Sequence, residues 1–452
     1  MKAVLDKSKN FLRSKFDQES KILIRNSSWV FVANAVGAVY AFLRSVIIAR
    51  GLGAETLGSY TIAIAFVLTI QEILKLNVAM GVIRYGAQYR TENRPDKIMA
   101  LLKGSVVASF ASAALSVIVI AGLVELAYDH FLSTPGLDRF IILYALVNGF
   151  AFLDNIGKGV LKLYYKFRVN SLVQMVMDTF EFIMIALCIY FFKNDLSYFF
   201  TTVIVTRLIN TLICNTAVIL ELKNELGPYL STKVELIKDQ YREISRFVVG
   251  NSFSNTLKTF MNQGDVLLLS MWSGVAAVGV YTVAKKLAYS VLTLTDPLVT
   301  SIFPQLSVLV AKKQFAEVRT MLIKLTRLTL LPVIAFLILA YFFRDDIITR
   351  IYGKAFALAA DPFFIHLIGA IQGSIFFWCL PLIQSLGLTS FRFRVYLAAM
   401  TTGAITSWLL TPALGASGVA IGLLFANLVI TSSFTWFAHQ YMLKEQSDLR
   451  PV

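Results

Sequence analysis

Thirteen ionisable side chains fall inside stretches otherwise apolar enough to lie in hydrocarbon, and their signs decide what chemistry they could do. The cations are Arg44, Lys75, Lys158, Arg207, Lys258, Lys285 and Lys286; the acids are Glu72, Asp154, Asp178, Glu181, Asp265 and Asp296. A charge at the bilayer centre costs at least about 2.5 to 3.5 kcal/mol, so these groups are expected to face one another or a wet cavity. Asp154 and Lys158, four apart, and Glu72 and Lys75, three apart, can each neutralise themselves along one helical face. Asp178 and Glu181 share a face and repel, so they need Arg207 or a proton, as a buried charge network or a proton-coupling site. Arg44, Lys258, Lys285 and Lys286 meet only Asp265 and Asp296. That surplus suits an anion with several acceptor oxygens, such as a phosphate group, which Arg grips bidentately and Lys meets as a point charge. Adjacent on a helix, Lys285 and Lys286 point about 100° apart, so one of them is expected to face the cavity.

The elements holding these groups follow from composition. Of 452 residues, 57% are hydrophobic and 15% charged, with a mean hydropathy of +0.69. This excludes a water-soluble enzyme and a disordered chain. Apolar blocks of 20 or more residues recur about twelve times, each long enough to cross roughly 30 Å of hydrocarbon. The expected spans lie near 26–49, 57–83, 103–128, 139–165, 169–192, 197–220, 246–271, 277–301, 324–343, 362–387, 393–411 and 417–441. The 42 Lys+Arg exceed the 27 Asp+Glu by 15. Most of these cations fall in loops on the side of the N-terminus, which makes both termini cytoplasmic in a multi-pass inner or plasma membrane protein and leaves no role for nucleic acid. Residues 1–25 are basic and amphipathic, as in a helix lying on the inner leaflet or an ordinary basic tail. Cys188, Cys214 and Cys379 build neither a disulfide framework nor a metal site.

The chain also repeats itself. GLGAETLGSYTIA at Gly51–Ala63 aligns with WSGVAAVGVYTVA at Trp272–Ala284, and Asn34 with Asn255, all at an offset of 221 residues (Gly58 to Gly279). Six spans per copy return the chain to its starting side, so the halves run in the same sense about a pseudo-two-fold axis along the membrane normal. The expected organisation is therefore a segment 1–25, a first six-span lobe 26–220, a cytoplasmic linker 221–245, a second lobe 246–441 and a tail 442–452. Tyr60 and Tyr281 occupy equivalent positions and are either hydrogen-bond donors to a cavity or interface anchors. Arg44 and Asp265 are also equivalent, and could pair across a cavity in one state or each take a local partner. Pro297, Pro332 and Pro381 read as hinges or static kinks. Gly418 and Gly422 form a close-packing GxxxG, and Trp378 either packs against a helix or stacks on a sugar.

These residues resemble the polysaccharide (O-antigen type) flippases of the multidrug/oligosaccharidyl-lipid/polysaccharide exporter superfamily. The resemblance is carried by IIARGLGAETLGSYTIA (Ile47–Ala63), GDVLLLSMWSGVAAVGVYTVAKKLA (Gly264–Ala288) and PALGASGVAIGLLFAN (Pro412–Asn427). It implies an all-α polytopic protein of two six-helix lobes enclosing a V-shaped cavity, lined mainly by spans 1, 2, 7 and 8. It also implies a polyprenyl-diphosphate-linked oligosaccharide as substrate, membrane lipids as surroundings, and a polysaccharide polymerase and glycosyltransferases as partners.

Energy has few sources here. GAETLGSY lacks the lysine of a phosphate-binding loop, and His130, His366 and His439 are scattered, so neither ATP hydrolysis nor a metal is expected. Loops are short, so no catalytic domain, no cofactor and no enzyme activity are expected. A substrate gradient, the membrane potential, or a coupled cation or proton remains. The rival readings are a cation-coupled multidrug exporter, which would want an acidic cavity, and a membrane-embedded glycosyl polymerase or ligase, which usually carries a large external loop.

Overall fold

Gly53 is where the chain first turns back on itself. Its φ of 72° and ψ of 177° lie outside the helical region and break α1 (Lys2–Leu74) into two arms at the fold's far end, opposite the N-terminus. Glycine meets such a φ without steric cost. The computed structural model describes residues 2–131, 136–193, 195–229, 231–294 and 296–448. The elements that follow are α2 (Val78–Thr91), α3 (Pro95–Phe131), α4 (Leu137–Phe150), α5 (Phe152–Leu163), α6 (Phe167–Phe191) and α7 (Leu196–Leu226). After two short 3-10 turns come α8 (Tyr241–Trp272), α9 (Val275–Ser290), α10 (Asp296–Ala311), α11 (Phe315–Tyr352) and α12 (Ala360–Ile375). The chain closes with α13 (Cys379–Ser385), α14 (Thr389–Leu414) and α15 (Ala416–Asp448). No strand occurs among the described residues.

Each expected span overlaps one or two of these helices. By length and composition nine candidate spans are long and apolar enough to cross a membrane among the described residues, α1 from Trp29 being counted together with α2. Neither α8 nor α9 is among them. The first is interrupted by Asn251, Ser252, Thr256, Lys258 and Asp265, and the second is only 16 residues long and carries Lys285 and Lys286. The expected linker 221–245 is shorter than the sequence suggests, because α7 extends to Leu226 and α8 begins at Tyr241. No bend separates the basic segment 2–25 from the first span. The tail is helical to Asp448, and residues 449–452 lie outside the described residues.

The repeat extends to the turns and breaks. Asn93 and Lys313 both adopt positive φ, of 54° and 56°, and the amides that follow, Arg94 and Gln314, donate to Tyr89 and Leu309 carbonyls five residues back. Tyr165 and Gly387 form a second such pair, with Lys166 bonded to Leu161 and Leu388 to Ile383. The second span breaks between α1 and α2 and its counterpart between α9 and α10; the fourth breaks between α4 and α5 and its counterpart between α12 and α13. Pro381 sits in the first turn of α13, where no backbone N–H is needed, so it restarts a helix rather than kinking one. The surroundings of Pro297 and Pro332 lie outside the described residues.

Close approach explains the glycines shared by the two copies. A Cβ on Gly58 would come within 1.9 Å of the Val275 carbonyl oxygen, and one on Gly279 within 1.9 Å of the Ala54 carbonyl oxygen. Val275 is the counterpart of Ala54, so the contact is its own mirror under the repeat, as a two-fold interface must be. Around it lies one apolar core shared by both halves, with Leu57, Ile62 and Ile189 beside Val278, Tyr281 and Leu367. At the near end the core divides. One part gathers Val82, Ile98, Val160 and Val248, and the other Leu306, Val318, Leu382 and Phe434. Apolar burial therefore joins the halves at the far end, while at the near end α8 packs into the core of the first half through Val248, with the Tyr85 hydroxyl donating to Glu243. Gly418 and Gly422 serve packing within the chain, pressing α15 onto Leu410 and Ser407 of α14.

Candidate functional site

The polar groups lie between the shared core and the divided one. On α1, Arg44 Nη1 stands 2.5 Å from Glu181 Oε2 of α6, with the two side chains 23% and 36% exposed. The guanidinium carries five N–H donors, more than this one ion pair can occupy. Asp178, one turn before Glu181, packs against Gly37 of α1, where a Cβ would meet its carboxylate at 2.8 Å. Asp178 lies in the electrostatic field of Arg44, Glu181 and Lys158. From there the charges continue inward: Asp154 accepts from Asn215 at 2.9 Å and Thr211 at 3.3 Å and is coupled to both Lys158 and Arg207. Tyr60 packs edge-on against Phe199 and Phe200, with ring centroids 4.9 and 5.3 Å away.

Two expectations change here. Asp154 is held by the hydroxyl and amide of α7, not paired with Lys158 along its own helix. Glu181 takes Arg44, not Arg207, because α1 packs directly on α6. Arg207 Nε is buried with no hydrogen-bond partner among the described residues. Glu72 and Lys75 do pair, at 3.3 Å.

In the second half the arrangement is drier. Asp265 is only 3% exposed; Lys285 Nζ lies 2.5 Å from its Oδ2, and the Tyr281 hydroxyl donates to the same oxygen. Tyr281 is thus neither a cavity donor nor an interface anchor. Arg44 and Asp265, equivalent in the repeat, each take a partner from their own half and do not pair with one another. Lys285 faces inward, while Lys286, one residue on, is exposed and near enough to Arg44 to feel its charge. The helical geometry that lets only one of the two lysines point outward selects Lys286, which makes no ion pair among the described residues. Asn34 of α1 is exposed. The side chains of Lys258, Asn255 and Asp296 lie outside the described residues.

The charge balance follows. Around Arg44, three cations (Arg44, Lys158, Arg207) face three acids (Asp154, Asp178, Glu181), and Lys285 cancels Asp265. Among the described residues Lys286 is the cation left over, at the seam where α9 packs against α1. Trp378 is buried, its indole N–H donating to Thr326 Oγ1 at 3.0 Å.

Sequence reasoning missed the second clamp at the far end. Arg50 Nε donates to the Ile351 carbonyl at 2.8 Å and its Nη2 to the Arg350 carbonyl, capping the last turn of α11. Ser45 Oγ and Tyr352 Oη lie 3.1 Å apart in the same place. No local signal names Arg50, because its acceptors are main-chain oxygens 300 residues away.

Comparison with known proteins completes the picture. A multidrug resistance MATE family transporter of the MOP superfamily in an inward-facing conformation has the same fold. It gives a TM-score of 0.73 at 12% identity, covering 92% of this chain and 96% of that one. The lipid II flippase MurJ in an inward closed conformation gives 0.69 at 14%, covering 93% and 90%. The Vibrio cholerae MATE transporter VcmN in its bent form gives 0.57 at 13%, covering 94% and 98%. No curated protein sequence matches the chain. Residues 23–310, well over half of the sequence, match the polysaccharide biosynthesis protein family, and the chain is a member of that family.

Proposed function

We propose that this protein is a flippase that carries a polyprenyl-diphosphate-linked oligosaccharide across the cytoplasmic (inner or plasma) membrane by alternating access, for surface polysaccharide assembly. The observation that carries the reading is the surplus cation Lys286 beside Arg44, on the seam where α9 of the second half packs against α1. A diphosphate brings about two negative charges to that place, and Arg44 has donors to spare. Engaging it draws Arg44 from Glu181. Glu181 and Asp178 then stand together without their cation and favour uptake of a proton or metal cation, which gives the cycle a route to coupling. The lipid tail stays in the bilayer. The far-end clamp corresponds to a state closed outside and open to the cytoplasm, with both termini on the cytoplasmic side and the two halves acting as lobes. An acidic, drug-exporter site would not leave a cation over. Glycosyltransferases supply the substrate on one side and a polymerase consumes it on the other, so the chain itself performs no covalent chemistry.

The test is reconstitution. Proteoliposomes holding the full chain should move a fluorescent polyprenyl-diphosphate oligosaccharide between leaflets without ATP, and Arg44→Ala and Lys286→Ala should each slow transfer while reconstituting equally. A rate equal to that of protein-free vesicles, or a strict ATP requirement, overturns the reading.

A further inference from the structure

A second basic cavity lies away from the seam. It measures about 400 Å³ and opens at the near end between the first turns of α11, the corner joining α12 to α13, and the last turns of α15. Arg319, Thr326 and Arg327 line it from one stripe of α11, and His439 faces them from α15. No acid is among its lining residues. The walls between these groups are apolar: Leu322, Ile323, Phe376 and Ala438, with the Trp378 ring held as a floor by its bond to Thr326. On α15, Trp436 is 64% exposed one turn before His439, and exposed indoles near the ends of spans favour the headgroup layer.

We propose that this cavity binds an anionic phospholipid of the surrounding membrane, its phosphate between Arg319, Arg327 and His439 and the start of its acyl chains along Leu322 and Phe376. The basic rim supplies the charge complement of a phosphodiester, while a free phosphate would leave the apolar walls unfilled. The transported lipid is not the occupant, because no residue of α1, α8 or α9 lines the cavity. Only the exclusion of the transported lipid rests on the proposed function. A bound lipid here fastens α11 to α15, two helices of the near-end core of the second half.

Native mass spectrometry of the full chain in detergent, titrated with phosphatidylglycerol or phosphatidylcholine, tests this. One phosphatidylglycerol should be retained preferentially. Replacing both arginines (Arg319→Ala with Arg327→Ala) should weaken it about thirtyfold, at roughly one basic side chain's surface attraction each. Arg319→Lys with Arg327→Lys should restore most of the binding, and Ile323→Trp, which fills the cavity from its exposed wall and keeps both arginines, should abolish it. The Trp variant serves if the double alanine variant fails to fold. Lys286→Ala should bind as the parent does. Equal retention of phosphatidylcholine, unchanged binding in the alanine and tryptophan variants, or one-for-one displacement by a polyprenyl diphosphate would each refute the assignment.

Discussion

Adding a single methyl group at Gly58 or Gly279 should push the far end of the molecule apart. The new Cβ would lie 1.9 Å from a main-chain carbonyl oxygen of the opposite half, whereas a comfortable carbon–oxygen contact is about 3.3 Å or more. The helices must separate locally by roughly 1.4 Å, since a carbonyl fixed in a helix cannot swing aside as a side chain can. Overpacking of this kind costs about 1 to 3 kcal/mol. If the other conformation releases the contact, the whole amount enters the equilibrium between the two and shifts it about 5- to 150-fold. Spin labels at Glu55→Cys and Ala276→Cys, exposed and equivalent in the repeat, report the far-end separation by pulsed electron resonance, with Cys214 replaced by Ala. Gly58→Ala and Gly279→Ala should both lengthen the mean distance. Gly122→Ala, with nothing within 4 Å of its Cβ, should leave it unchanged. Folded Gly58→Ala and Gly279→Ala proteins with the parental distance distribution would refute the clamp.

Adjacent lysines should separate function from folding. Lys286→Ala should lower lipid transfer in proteoliposomes at normal membrane abundance, whereas Lys285→Ala leaves the buried Asp265 uncompensated, costs about 3 to 5 kcal/mol and should lower abundance on immunoblots. Arg50→Gln removes the charge from the α11 cap; at an exposed helix terminus that is worth about 1 kcal/mol, and the same spin-label pair should show a larger fraction of the separated state. Lys166 pairs with Glu221 and Glu225, at 3.1 and 3.4 Å, and these carboxylates hold its pKa above the ordinary 10.5. The stabilisation is complete below the unfolded value and fades only as pH rises through the raised one. Lys166→Gln should therefore lower the thermal unfolding midpoint by a constant small amount across about pH 6 to 9; a difference that grows with pH inside that window would contradict the pairing.

Periodicity and hydropathy named the helices well because a span must be apolar over a fixed length whatever it packs against. They also exposed the repeat, since GxxxxGxYT survives twice where two backbones touch and only glycine leaves room. Partners were harder to read. Spacing along one helix paired Glu72 with Lys75 correctly, yet assigned Lys158 to Asp154, because a hydroxyl and an amide from α7 reach that carboxylate and no single-helix rule includes them. Arg44 could as well have met Asp265 as Glu181 until the packing of α1 on α6 was known.

The sequence by itself determined that the chain lives in a bilayer, that it carries an internal repeat at an offset of 221 residues, and that Lys285 and Lys286 diverge. Those are local properties, fixed by covalent order, helical pitch and the free energy of placing side chains in hydrocarbon. Only the tertiary structure decided which lysine turns outward, that Asp265 is sealed beneath Tyr281, and that Arg50 caps a helix 300 residues away. These depend on which faces of distant helices meet, and a charge takes whichever partner the packing brings within a few ångströms.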